Sequence, residues 1–176
     1  MNKLHMYVPF SVLLIFSACA QTTGQPQGLC VDEKFDIEIA STISFTIPII
    51  GVEDLRNIQE DVYIFDTRKK EEFELSHIPG AIYLGYGDFD EKRLENIPKE
   101  AKIILYCSIG YRSEKIGEKL QSKGYKNVFN LYGSIFEWAN RSFPMEDKNG
   151  NITKKIHTYN KGWSKWVDGS KAEKVW

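Results

Sequence analysis

Residues 103–113 of the chain read IILYCSIGYRS, and they give the clearest indication of the fold class. Its first four residues form a continuous apolar run, which is typical of a strand covered on both faces in a parallel sheet. A helix is predicted over residues 113–123, because Ile116 and Leu120 lie four residues apart and Gly124 provides an end. A strand that leads through a short loop into a helix is the repeating unit of α/β folds.

The same alternation continues on both sides of this stretch. Thr67 is a suitable cap for the first flanking helix, and we expect an added edge strand at the C-terminal end. Short strands alternating with helices predict an α/β domain with a central parallel sheet flanked by helices on both faces. The remaining predicted strands are residues 62–65, 81–84, 128–131 and 152–157, and the remaining helices are residues 69–75, 90–97 and 134–140.

The composition excludes several classes of protein. With 176 residues, of which 42% are hydrophobic, the chain is long enough for one domain with its own core plus an appendage. Its 23 basic and 24 acidic side chains lack the basic excess of nucleic-acid-binding proteins. The three histidines and three cysteines show no spacing of the kind that binds zinc, so neither a metal nor a cofactor is expected.

Residues 1–19 have the pattern of an export signal. Lys3 precedes an uncharged, mainly apolar run over residues 6–16, and small residues follow. A membrane-spanning helix is disfavoured, because it needs about 20 apolar residues and Pro9 interrupts the run.

Two cleavage sites are compatible with this signal. Phe16-Ser17-Ala18-Cys19 resembles the lipobox of bacterial lipoproteins, in which the cysteine becomes the lipidated first residue, although Phe16 departs from the usual leucine. The alternative is ordinary small-x-small cleavage after Ala20, which releases a soluble exported protein. We favour lipidation of Cys19, since a cysteine at the end of the apolar run is otherwise unexplained. The expected location is the cell envelope, on the outer side of the cytoplasmic membrane or in the periplasm.

The rest of the chain divides into three parts. Residues 20–40 are predicted to be a linker, because they begin with a polar, Gly- and Pro-containing segment without periodicity. Residues 41–143 are predicted to form the domain, and residues 144–176 an extension that packs on it. In this extension, Trp163 and Trp166 are three residues apart, which more often indicates packing than a binding platform.

Cys107 is the candidate catalytic residue. It follows the strongest predicted strand, at the sheet edge where α/β proteins bind ligands. Gly110 and the next helix allow several amides to point at one anion, and Arg112 adds positive charge, so a thiol here should have a lowered pKa. From these residues alone, a buried structural cysteine is an equally good interpretation.

Three sequence motifs, in this order along the chain, favour a catalytic over a structural role for Cys107. Residues 66–68 read DTR after one strand, residues 76–81 read SHIPGA, and residues 107–112 read CSIGYR after another strand. Gly133 and Trp138 match a downstream Gly-x-x-x-x-Trp pattern. In these motifs and their order, the chain resembles a single-domain rhodanese.

The resemblance implies a sulfurtransferase that uses a Cys107 persulfide. The thiolate would take the outer sulfur of a donor, thiosulfate or a persulfide, and pass it to an acceptor such as cyanide or a thiol. Related dual-specificity phosphatases and arsenate reductases have one more loop residue, which makes a phosphatase unlikely here. The alternative is a non-turnover sulfur carrier or persulfide-binding module. We expect a monomer, with the loop formed by Cys107, Ser108, Ile109, Gly110, Tyr111 and Arg112.

Other residues are assigned supporting roles or none. Asp66 and Arg68 are expected to orient the loop, through a salt bridge to Arg112, or simply to cap the next helix. For His77 the resemblance suggests structural hydrogen bonding. Cys30 is left as a free thiol, an intermolecular cross-link or, less plausibly, a partner of Cys107.

The charge of the loop bears on the donor. Ser108, Ile109 and Tyr111 are uncharged, so Arg112 is its one cation. A hydrophobic thiol persulfide or a protein persulfide therefore suits this loop better than thiosulfate, as a hypothesis.

The lipidation prediction can be tested with a labelled fatty acid in a bacterial host. Label should enter the wild type and the Cys30→Ser variant but not Cys19→Ser, because the lipid is attached through the thiol of Cys19. An unlabelled wild-type protein would instead indicate ordinary cleavage and a soluble product.

Overall fold

The computed structural model describes residues 28–176 of the chain. The predicted signal, Cys19 and the first part of the predicted linker lie outside these residues. Five strands form the central sheet in the order β1-β5-β4-β2-β3, and every neighbouring pair is parallel. The strands are β1 (Ile49–Ile50), β2 (Tyr63–Asp66), β3 (Ile82–Tyr83), β4 (Lys102–Tyr106) and β5 (Asn127–Leu131). The predicted α/β class with a parallel sheet is confirmed.

Helices connect and cover these strands. The α-helices are α1 (Glu33–Thr42), α2 (Val52–Ile58), α3 (Lys70–Leu75), α4 (Tyr111–Ser122) and α5 (Ser134–Asn140), with short 3-10 segments at Gln59–Asp61, Glu91–Leu94 and Trp163–Trp166. The helix predicted at residues 90–97 is only one of these 3-10 segments. Leu94 is its one buried residue, so no apolar stripe stabilises a longer helix. Three elements, α1, β1 and α2, are not predicted from the sequence pattern.

Strand β4 separates two apolar clusters because successive side chains of a strand point to opposite faces. Ile104 and Tyr106 pack in the larger cluster, together with α1, α2 and α5. Ile103 and Leu105 pack in the other, together with α4. Helices therefore cover both faces, as predicted, and β4 is buried between them.

The predicted linker over residues 20–40 ends earlier than expected. Helix α1 begins after Asp32, whose carboxylate accepts hydrogen bonds from the amides of Lys34 and Phe35. Phe35 and Ile39 are fully buried in the larger cluster. Their four-residue spacing places both on one face of α1, so this part of the predicted linker belongs to the folded domain.

The C-terminal extension packs on this domain through two small sheets. Strand β6 (Met145–Glu146) pairs with β7 (Ile152–Thr153), and β8 (Lys155–His157) pairs in parallel with β9 (Glu173–Val175). The single edge strand predicted at residues 152–157 is wrong, because the Lys155 amide bonds the Thr153 hydroxyl and the strand breaks there. Trp166 stacks on Phe35 with ring centres 5.5 Å apart, the packing role expected of it.

Within residues 28–176, no helix combines the length and the apolar character that crossing a membrane requires.

The burial of α1 leads to a stability prediction. Phe35→Ala should lower the free energy of unfolding by about 3–5 kcal/mol, because it leaves a cavity in the core. Ile37→Ala on the same helix is the matched control and should change it by less than about 0.5 kcal/mol, since Ile37 is 64% exposed. Urea unfolding of both variants measures this. Equal effects would mean that α1 is not part of the core.

Candidate active site

The loop that follows β4 surrounds the sulfur of Cys107. Gly110 has a φ of 123°, a conformation that residues with a side chain rarely adopt. This conformation points the Gly110 amide at Cys107, and the N–H donates to Sγ at 3.1 Å. Cys107 is 1% exposed, and its sulfur borders the cleft described below. The loop therefore presents one buried sulfur atom to the cleft.

The loop is held from beneath by Asn130 of β5. The Asn130 side-chain amide donates to the Gly110 carbonyl at 2.9 Å, and the Ser113 hydroxyl donates to the Asn130 carbonyl oxygen at 2.7 Å. Asn130 is fully buried, so these bonds are shielded from water. The sequence analysis missed this residue, although a lone polar side chain in an apolar strand was an available signal.

The surroundings of Cys107 lower the pKa of its thiol. Burial by itself raises this pKa, but the Arg112 cation and the backbone amides of Ser113, Gly110 and Ile109 outweigh it. Ser113, the last of these amides along the chain, lies one residue beyond the loop of residues 107–112 that is expected from the sequence. The site thus favours a thiolate, the form of cysteine that acts as a nucleophile.

Arg112 is held by Glu72 of α3. Its two terminal nitrogens contact the two carboxylate oxygens at 2.8 and 3.2 Å, and the second nitrogen also donates to the Ser108 hydroxyl at 3.0 Å. Glu72 is fully buried, and it also accepts from the Lys69 amide at the start of α3. Burial raises the pKa of Glu72, but Arg112 outweighs this and the pKa is lowered. Nothing in the sequence pattern had singled out Glu72.

Asp66 and Arg68 pair with each other rather than with Arg112, so the predicted salt bridge is wrong. Two guanidinium nitrogens of Arg68 contact the Asp66 carboxylate at 2.6 to 3.0 Å, and both side chains are fully buried. Neither caps α3. The predicted cap Thr67 instead donates its hydroxyl to the Tyr106 carbonyl at 2.9 Å. The physical reason is proximity, since a side chain two residues away reaches Asp66 before Arg112 does.

The other predicted loop residues lie close to Cys107. Ser108 is buried, and its hydroxyl accepts a hydrogen bond from Arg112. Ile109 packs in the larger apolar cluster. Tyr111 is the first residue of α4 and is 46% exposed at the cleft.

His77 is outside the cleft. Its Nδ1 lies 2.9 Å from the Phe73 carbonyl, and its ring stacks on Phe73 at 3.9 Å. Its backbone also exchanges two hydrogen bonds with Glu146 of β6. These are structural contacts that attach the extension to the domain.

Cys30 and Cys107 are both free thiols. Burial, together with the carboxylates of Glu137 and Asp36, raises the pKa of Cys30 well above that of an ordinary thiol. The pKa of Cys30 is therefore raised, whereas the pKa of Cys107 is lowered, and Cys30 remains a neutral thiol in the core.

A cleft of about 690 Å³ opens above Cys107. This volume is typical of small-molecule sites. In the part of the chain from residue 28 onward, no group of His, Cys, Asp or Glu side chains is arranged to hold a metal ion. The residues bordering the cleft are mainly aromatic or charged: Thr42, Lys69, Lys70, Glu71, Tyr83, Tyr86, Gly87, Asp88, Cys107, Ser108, Ile109, Tyr111, Arg112, Tyr159 and Trp163.

The electrostatics of the loop lead to a pH prediction. In the wild type the thiolate absorbance of Cys107, taken as the difference from Cys107→Ser, should rise below the pH range of an ordinary thiol. Because Arg112 favours the charged form, Arg112→Met should move this rise to higher pH, and Arg112→Lys should move it less. Arg56→Met is the control and should leave the midpoint unchanged. Coincident curves for wild type and Arg112→Met would contradict the assignment.

Comparison with known proteins places this site in a family. The model of the Rhodanese-like domain family matches residues 52–141, just over half of the chain. The chain is 30% identical over 108 residues to YrkF of Bacillus subtilis, named as a proposed sulfur carrier, covering 60% of this chain and 58% of that protein. It is 31% identical over 117 residues to the tRNA uridine(34) hydroxylase of Erwinia tasmaniensis, covering 63% of this chain and 32% of that enzyme. The chain thus spans less than two thirds of these two relatives.

A shorter relative is covered more completely. The chain is 30% identical over 93 residues to the thiosulfate sulfurtransferase GlpE of Coxiella burnetii. The aligned region covers 53% of this chain and 85% of that enzyme. The three relatives carry names of three different activities, so they share a domain rather than a single reaction.

Solved structures agree on the fold. A rhodanese-like domain from Anabaena sp. superimposes with a TM-score of 0.53 at 22% identity, covering 58% of this chain and 80% of that one. A thiosulfate sulfurtransferase from Pseudomonas aeruginosa superimposes with a TM-score of 0.52 at 19% identity, covering 59% of this chain and 20% of that one. From its family match, its parallel sheet and its cysteine loop, the chain belongs to the rhodanese-like domain family.

Proposed function

We propose that this protein is a sulfurtransferase that moves sulfane sulfur from a donor to a thiophilic acceptor through a persulfide on Cys107. The observation that carries the proposal is the Gly110 amide, which donates to the buried Cys107 sulfur at 3.1 Å. A neutral thiol needs no such donor, whereas a thiolate or a persulfide anion is stabilised by it. The family membership supports the same chemistry.

In the loading step the Cys107 thiolate attacks the outer sulfur of the donor. A bond forms between the two sulfurs, the sulfur–sulfur bond of the donor breaks, and its electron pair leaves with the inner sulfur. With thiosulfate the leaving group is sulfite, and with an organic persulfide it is a thiolate. The negative charge ends on the terminal sulfur of Cys107–S–S⁻, so the total charge is unchanged.

The loop serves both states without rearrangement. Its amides and Arg112 already favour the thiolate, and the same groups stabilise an anion one sulfur atom farther into the cleft. In the unloading step cyanide attacks the terminal sulfur and leaves as thiocyanate, while the electron pair of the broken bond returns to Cys107. A thiol acceptor leaves in the same way as a persulfide.

A second candidate function is that of a carrier, which holds sulfur on Cys107 for a partner without turning over small donors. The 30% identity to YrkF, named as a proposed sulfur carrier, favours keeping it. Both functions need Cys107. They differ in multiple turnover, because only the enzyme produces thiocyanate repeatedly from a small donor.

We also propose that the domain works outside the cytoplasm, as a monomer tethered to the cell envelope through a lipid on Cys19. The support is the apolar run of residues 6–16 followed by small residues. No nucleic acid or cofactor takes part in the proposed reaction.

Intact mass spectrometry tests the central proposal. After incubation with thiosulfate or an organic persulfide, the wild type should gain the mass of one sulfur atom, and cyanide should remove it. Cys107→Ser should gain nothing and form no thiocyanate. Cys30→Ser is the matched control and should load normally, because Cys30 is a buried, neutral thiol.

The alternative outcomes separate the two candidates. Stable sulfur on Cys107 without repeated thiocyanate formation would favour the carrier. Unchanged sulfur transfer by Cys107→Ser would overturn both.

A further inference from the structure

The cleft above Cys107 is completed by the C-terminal extension. Tyr159 and Trp163 follow β8 and border the cleft. Both lie beyond residue 141, where the match to the family model ends. One wall of the cleft is therefore a feature of this chain that family membership does not supply.

Tyr159 lies next to the cysteine loop. The centre of its ring is 5.5 Å from the guanidinium carbon of Arg112, and Arg112 in turn bonds Ser108 at 3.0 Å. Only one side chain thus separates Tyr159 from the residue that follows Cys107. A donor bound at Cys107 therefore shares one cleft with the Tyr159 ring.

Local hydrogen bonds within the extension fix the backbone at both residues. The Tyr159 amide donates to His157 Nδ1 at 3.1 Å, and the Trp163 amide donates to the side-chain oxygen of Asn160 at 3.1 Å. Tyr159 has a φ of 65°, a conformation uncommon for residues other than glycine. The Asn160 amide donates to the Thr158 carbonyl at 2.7 Å, so a tight turn centred on Tyr159 sets this conformation. The side chain of Tyr159 is 50% exposed, which leaves its ring surface available at the cleft.

The charges of the cleft are largely matched. Arg112 pairs with Glu72 at 2.8 Å. The carboxylates of Glu71 and Glu74 of α3 lie at 3.7 and 3.8 Å from the ammonium groups of Lys69 and Lys70. Each cation in the lining therefore already has an acidic neighbour, so none is left unpaired for a dianion such as thiosulfate.

The apolar surface of the cleft is larger than thiosulfate can use. Besides Tyr159, the tyrosines Tyr86 and Tyr111 border it with 41% and 46% of their surface exposed. Aromatic side chains gain most from burying an apolar or aromatic group. The volume of about 690 Å³ accommodates such a group beside the sulfur atoms.

We propose that Tyr159 and Trp163 form a subsite for an apolar substituent on the sulfur donor, so that the preferred donors are organic sulfane-sulfur compounds carrying a single negative charge. This inference rests on the proposed sulfurtransferase function. In the loading step the substituent leaves with the inner sulfur and its electron pair, as a thiolate or a sulfinate. The subsite binds the substituent and takes no part in breaking the bond.

Three probe donors isolate this subsite. Thiosulfate, methanethiosulfonate and benzenethiosulfonate all carry a sulfane sulfur on an oxidised sulfur. Each of the two thiosulfonates carries one negative charge, and they differ only in having a methyl or a phenyl group. The wild type should show a kcat/KM at least about tenfold higher for the phenyl than for the methyl compound, as expected of an apolar pocket, and the lowest value for thiosulfate.

Variants then assign the effect to the two residues. Tyr159→Ala and Trp163→Ala should each lower the phenyl-to-methyl ratio at least about threefold, whereas Tyr159→Phe should keep it because the ring remains. Trp176→Ala is the matched control, since this aromatic residue of the same extension is 59% exposed and does not border the cleft. Any general effect of Tyr159 on Arg112 cancels in the ratio.

The failures are distinguishable. A wild-type ratio near one, or an equal ratio in Tyr159→Ala, Trp163→Ala and Trp176→Ala, would overturn the subsite while leaving the proposed function intact. Absence of sulfur on Cys107 with all three donors and with an organic persulfide would overturn the proposed function itself.

Discussion

A negative sulfur atom at the base of a cleft must be stabilised by groups that are already in place, and most contacts around Cys107 meet this constraint. Burial disfavours the thiolate, while Arg112 and the amides at the start of α4 favour it more strongly. Glu72 fixes Arg112, and since Glu72 is fully buried and Arg112 is 16% exposed, water screens the pair only weakly. The site is therefore organised for an anion before a donor binds.

The pair of Asp66 and Arg68 supports this arrangement without entering the cleft. Taking two charges out of water offsets much of their attraction, so a buried pair is weak evidence for added stability. Its geometric effect is clearer. Arg68 also donates to the Ser76 carbonyl at 2.5 Å, and the backbone carbonyl of Asp66 accepts from the Leu84 amide at 2.9 Å. The pair thus fixes the segments around the end of β2. This strand is next to β4, which Cys107 directly follows.

The C-terminal extension is attached to the domain by contacts made far from the cysteine loop along the chain. Its attachment depends on Glu146, which bonds the backbone of His77, and on Trp166, which stacks on Phe35 of α1. These contacts place Tyr159 and Trp163 at the cleft. The anion-binding loop belongs to the family, whereas the aromatic wall beside it belongs to this chain, which is a reason to consider the loop and the donor specificity separately.

The parallel sheet and the loop around Cys107 could be predicted from the sequence, because both depend on short-range patterns: a continuous apolar run and a glycine three residues after a cysteine. Helix α1 is not predicted from the sequence, because its buried apolar residues are only Phe35 and Ile39, within an acidic segment. Tertiary structure alone decided that Glu72, forty residues before Arg112 along the chain, is its partner, and that Asn130 supports the loop. Ion pairs and hydrogen bonds between distant residues depend on which elements the fold brings together, and no local pattern carries that information.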